Sequence, residues 1–84
     1  MVKIKLAYPI ENGSEIIDSI ELKRPKGKHL RAFPSDPQPT DMLNLAAKIS
    51  GQPNHIFDEM DMKDCMTIIG AVGDFLGDGQ ETGV

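Results

Sequence analysis

Chemistry-bearing side chains are few: Cys65, His29 and His55 are the only thiol and imidazoles among 84 residues. A thiol and an imidazole make a nucleophile and base only when the thiol is accessible and the imidazole lies within hydrogen-bonding reach. Cys65 instead shares helical spacing with Met62, Met66, Ile69 and Val72, the setting of an inert core thiol. His55 and Glu59 are four apart and could share a metal, but two ligands do not complete a site. The sequence contains no CxxC and no HExxH, and Met60 and Met62 follow Asp58 where a calcium loop needs oxygen ligands. Gly70-Ala71-Val72-Gly73 lacks the further glycine and the lysine of a phosphate loop. No catalytic residue, metal ligand or cofactor is assigned, and the chain does not read as an enzyme.

What remains is recognition chemistry. Lys23, Arg24, Lys26, Lys28, His29 and Arg31 form a concentrated basic patch, with Phe33 beside it as a stacking surface. That combination suits a small regulatory or nucleic-acid-binding module. A pI near 4.9, few aromatics and no basic recognition helix argue against nucleic acid. The net charge of −4 conceals an asymmetry: residues 1–33 carry seven Lys/Arg against four Asp/Glu, and residues 34–84 carry two against nine. Intramolecular neutralisation, head-to-tail self-association into a homo-oligomer and ordinary solvated faces all remain open.

The elements that must position these residues fit one domain, residues 1–76, of α+β class: an N-terminal antiparallel β-hairpin packed against two or three C-terminal α-helices. A chain this short has a thin stability margin. Cys65 has no intramolecular disulfide partner, which suits a reducing cytoplasm. Residues 2–8 lack the apolar core of a leader, and no run approaches the roughly 20 apolar residues of a membrane span. In the hairpin, residues 1–24, Val2, Ile4 and Leu6 alternate with polar or small residues, Pro9 ends the run or restricts it to an edge, and Asn12-Gly13 marks the turn. Ile16, Ile20 and Leu22 share a parity in the second strand that Ile17 breaks, so either a bulge or a strand covered on both sides is expected near its start.

Residues 25–33 read as a short helical turn and residues 34–40, with Pro34, Pro37 and Pro39, as a stiff connector. Thr40 is positioned to cap a helix over 41–50 whose stripe is Met42, Leu45, Ala46 and Ile49, and Gly51 and Pro53 end it. A second helix, 58–76, starts at a cap on Asp58 or Asp61 and turns Met62, Cys65, Met66, Ile69, Val72 and Leu76 to one face. Gly70 and Gly73 on this helix leave room for another backbone. The expected core is Ile4, Leu6, Ile20, Leu22, Leu30, Leu45, Ile49, Met62, Met66, Ile69 and Phe75, and residues 77–84 read as a disordered tail.

The order of four passages carries a resemblance. They are the Arg-Pro-x-x-x-x-Leu-Arg passage at 24–31, the Leu-Ala-x-x-x-Ser-Gly-x-Pro helix end at 45–53, the Asp-x-x-Asp helix start around Asp58, Asp61 and Asp64, and the closing Asp74-Phe75-Leu76. Preceded by a hairpin with a lysine-rich first strand, they resemble the tail assembly chaperone family of contractile-tailed bacteriophages, in its short, non-frameshifted form. His29 stands where that pattern leads one to expect a small polar or acidic residue. The resemblance implies a protein of the host bacterial cytoplasm, absent from the mature virion. It also implies action on the tape measure protein, and with it the tail tube protein, during tail tube assembly. In that setting the last helix offers an apolar, acid-rimmed strip for a hydrophobic helical client: Met60, Met62, Met66 and Phe75 as contacts, Asp61, Asp64 and Asp74 as the charged rim. The patch of Lys23, Arg24, Lys26, Lys28 and Arg31 is the alternative surface.

Overall fold

The computed structural model describes residues 2–82. The chain opens as a hairpin of β1 (Val2–Asn12) and β2 (Glu15–Leu22). Asn12 pairs with Glu15, which leaves Gly13 and Ser14 as the two loop residues, and Gly13 takes φ 68°. A positive φ at the first loop position alone is the type II′ arrangement, whose twist matches the flanking strands. The turn thus lies one residue later than Asn12-Gly13, with Asn12 kept in the strand.

Pro9 does not end β1. Val2 to Lys5 pair in one register and Ile10 to Asn12 in another, so residues 6–9 of β1 face the single residue Asp18 of β2. The irregularity therefore sits in β1 and not at the start of β2. It also absorbs Pro9, which has no N–H to donate to a ladder. The register change lets Ile17 and Ile20, of opposite parity, both face inward: Ile17 pairs with Ile10 and Ile20 with Ile4. Ile17 is consequently buried, while Ile16 points away.

After β2 the chain makes one short helix, α1 (Gly27–Leu30), narrower than the 25–33 expected. Next comes α2 (Pro39–Ser50), in which Thr40 is not the cap. Gln38 is the cap residue, Pro39 occupies the first helical position, and the Gln38 N–H donates to the Asp41 carboxylate at 2.8 Å. A proline is well suited to that first position, because its missing N–H would have had no partner there. The far end closes as expected: Gly51 takes φ 77° and donates its N–H to the Ala47 carbonyl at 3.0 Å.

Pro53 does not keep the chain from resuming a helix. It precedes α3 (Asn54–Glu59), which buries Ile56 and Phe57. Met60 then takes an extended ψ of 143°, breaking what the sequence presents as one helix over 58–76. Asp61, the second of the two expected caps, opens α4 (Met62–Thr82): its Oδ1 accepts the Lys63 N–H at 2.9 Å and its carbonyl accepts the Cys65 N–H at 3.0 Å. The helical assignment carries on to Thr82 instead of stopping at Leu76, since extending an existing helix adds a backbone hydrogen bond for each residue fixed. Residues 83 and 84, part of the expected tail, lie outside the described residues.

The inner face of the hairpin lies on the helices: α2 packs on α4 and β2, and α3 and α4 pack on β1. The core joins Leu6, Ile10, Ile17, Ile20 and Leu22 of the hairpin to Leu45, Ala46 and Ile49 of α2, Ile56 and Phe57 of α3, and Ile68 and Val72 of α4. A backbone bond ties the two layers, Lys23 N–H donating to the Ile49 carbonyl at 3.1 Å. The architecture is the expected one, an antiparallel hairpin covered by two substantial helices, in a molecule measuring 46 × 22 × 20 Å.

Candidate functional site

The orientation of α4 decides which candidate side chains are available. At 100° per residue, Asp64, Ile68, Val72 and Phe75 form one stripe, and this is the stripe turned inward. The face centred on Met62, Met66 and Ile69 is rotated from it by roughly 130°, more than a third of a turn. Met62 and Met66, expected in the core, are therefore 78% and 60% exposed, and Ile69 and Phe75 are half-buried.

Asp64 explains the rotation. The irregular stretch of β1 leaves the N–H groups of Ala7 and Tyr8 out of the ladder, and they donate to Asp64 Oδ1 at 2.9 Å and Oδ2 at 3.0 Å. This carboxylate is 3% exposed, with both oxygens engaged, so it is a structural clasp and not the surface charge expected of it. Met60 is likewise withdrawn, buried at the α3–α4 junction. Asp61 and Asp74 remain exposed as expected. Of the proposed client-facing set, the surface thus keeps Met62, Met66, Asp61 and Asp74, with Phe75 partly accessible.

Along the outer face of α4, Met62, Met66, Ile69, Gly73 and Leu76 recur at alternating steps of four and three, the spacing of a helix-pairing seam. No neighbouring backbone of the monomer lies against Gly70 or Gly73. A Cβ at Gly70 would meet nothing within 4 Å, and one at Gly73 only the Met42 Cε at 3.7 Å.

The second surface joins the basic patch to the far end of α4. A groove of about 260 Å³ is floored by Phe33, Leu45 and Phe75 and edged by Leu30 and Leu76, with Arg24, Lys26 and His29 on its rim. The Arg24 guanidinium lies 5.7 Å from the centroid of the Phe75 ring, a cation–π contact that couples the patch to the aromatic. His29 is anchored, its Nδ1 accepting the Lys26 N–H at 2.8 Å. Leu30, assigned to the core from sequence, is 69% exposed at the mouth of this groove, because α1 is too short to lay both Leu30 and Phe33 on the core. Lys23, Lys28 and Lys48 extend the positive surface into an adjoining groove, and among the described residues no Asp or Glu lines either one. Arg31 is exposed just beyond α1.

Cys65 is half-buried, its thiol directed at the Phe57 carbonyl (3.6 Å) and the Met60 carbonyl (3.9 Å). Desolvation, followed by the negative charges of Asp64, Asp61 and Asp58, raises its pKa and disfavours the thiolate. Among the described residues no group of three or more His, Cys, Asp or Glu is placed to hold a metal ion, and no helix is long and apolar enough to cross a membrane.

Sequence reasoning missed Leu76 and Leu45 as groove residues, since only folding brings residues 24–33 against the end of α4. It also missed the exposed pair Tyr8 and Ile16 on the hairpin, for which the one signal was the clash of parity between Ile16 and Ile17. The family model described as "Phage tail assembly chaperone proteins, E, or 41 or 14" matches residues 3–77. No curated protein and no solved structure matches the chain significantly.

Proposed function

We propose, since this chain belongs to the phage tail assembly chaperone family, that it binds the tape measure protein and keeps that client soluble while the tail tube assembles. The observation that carries the reading is the outer face of α4, where Met62 and Met66 stand exposed on a helix whose opposite side, Ile68 and Val72, is fully buried. An unbranched thioether adapts to imperfectly matched surfaces, which suits a protein that must grip many stretches of one long client. The heptad-like spacing from Met62 to Leu76 fits pairing with an apolar stripe on a client helix. Asp61 and Asp74 flank it and favour basic client segments. The protein acts by masking apolar surface, with no bond made or broken, in the host cytoplasm before the virion is complete.

Co-expression with the tape measure protein of the same phage tests this. The wild-type chain is expected to move the client into the soluble fraction and to be recovered with it. Met62→Asp/Met66→Asp should abolish both effects while the fold, followed by circular dichroism, persists. An equally insoluble client with and without the wild-type chain would end the proposal. The reading as a regulatory or nucleic-acid-binding module is supported by the groove lined by Lys23, Arg24, Lys26, Lys28 and Lys48 but opposed by a net charge of −4.

A further inference from the structure

The hairpin carries a second unexplained surface. Between Lys5 and Lys23 there is no lysine or arginine, but there are four acids, Glu11, Glu15, Asp18 and Glu21. Ile16 pairs with Glu11 on the face turned away from the core and is 63% exposed, and Tyr8 is 55% exposed. The distal hairpin is therefore an acidic knob with an isoleucine on it. The groove at Arg24, Lys26, Leu30 and Phe75 is its complement in both respects, apolar within and cationic at the rim. The two cannot meet inside one molecule. Ile16 and Arg24 lie eight residues apart along and just beyond β2, and an extended chain at ~3.3 Å per residue holds them roughly 25 Å from each other. The charge asymmetry of the chain is thus not neutralised by contact between these surfaces within the monomer.

We propose that the protein self-associates head to tail, the hairpin tip of one copy placing Ile16 in the groove beside Leu30 and Phe75 of the next, with Glu11 and Glu15 against Arg24 and Lys26. The contact is heterologous, since different surfaces meet, so each added copy presents a fresh tip and a fresh groove, and a row or ring results. The interface is small and rich in exposed charge, which makes it weak, concentration-dependent and sensitive to salt. It leaves Met62 and Met66 uncovered, so a row of copies offers repeated α4 faces. It needs no client and stands or falls separately from client binding.

Sedimentation velocity of the full chain at rising concentration and low ionic strength tests the proposal. The weight-average sedimentation coefficient is expected to climb with concentration and to fall back in high salt. The tip reversal Glu11→Lys/Glu15→Lys and the groove reversal Arg24→Glu/Lys26→Glu should each weaken association about tenfold or more, with circular dichroism unchanged. Ile16→Ser should weaken it as well. Mixing the two reversed proteins should restore association, because each then offers the other a complementary tip and groove; a general loss of folding would not be rescued in this way. A wild-type chain that stays monomeric at every concentration overturns the proposal, as does association indifferent to both reversals, or a mixture that fails to recover. Binding of a single-stranded oligonucleotide at Arg24 and Lys26 by a chain that does not self-associate would assign the groove to nucleic acid instead.

Discussion

Asp64 is the residue on which the register of the whole molecule turns. Its two oxygens take the N–H groups that the irregular β1 cannot pair, and charge-assisted bonds of this kind are worth more than neutral ones. Asp64→Ala is expected to cost about 2–4 kcal/mol, read as a lowered denaturant midpoint, because two backbone donors lose their acceptor. Asp64→Asn, which keeps one acceptor oxygen, should fall between. At Cys65 the expectation is inertness: disulfide-exchange reagents should label the folded protein at pH 8 at least about tenfold more slowly than the denatured chain. The raised thiol pKa also fixes a direction with pH. The unfolded chain releases this proton first, so the contribution of Cys65 to stability is complete below the ordinary thiol pKa of about 8.5 and is lost as pH rises through the folded value.

At the scale of elements, the interruption at Met60 is what permits α3 to bury Ile56 and Phe57 under β1 while α4 sets off with Asp64 turned inward. A continuous helix over 58–76 could not satisfy both. Met60→Ala is accordingly expected to cost about 2–4 kcal/mol, whereas Met66→Ala should leave the midpoint within roughly 0.5 kcal/mol, a contrast that chemical denaturation of the two variants measures directly. The glycines of α4 give the opposite sign. Gly70 is helical and faces open space, so Gly70→Ala is expected to stabilise by about 0.5–1 kcal/mol. If that variant gains stability but loses the client, the client's backbone approaches α4 closely at this point.

For the whole molecule, a two-stranded sheet is at best marginal in water, and this hairpin is held by its apolar face, the Asp64 clasp and the Lys23–Ile49 bond. Hairpin and helices should therefore unfold as one unit: hydrogen exchange in the paired amides of β2 and in mid-α2 should show protection of similar free energy, and weaker protection confined to the hairpin would contradict this. The sequence by itself determined the inventory of the fold. Strand alternation, the glycine turn and the stripe of α2 with its Gly51 stop all follow from local rules, because a period or a φ requirement is written in neighbouring residues. The order of the Arg24-Pro25, Ser50-Gly51 and Asp74-Phe75-Leu76 passages identified the family. Tertiary structure decided which way α4 faces. Its apolar residues are spread broadly enough to offer two stripes, and the choice fell to the one carrying Asp64, since only that rotation satisfies donors fifty-seven and fifty-six residues away. The same choice moved Met62 and Met66 from core to surface and set the end of α4 against Arg24 and Leu30. Such outcomes depend on hydrogen bonds between distant segments, and no local pattern in the sequence encodes them.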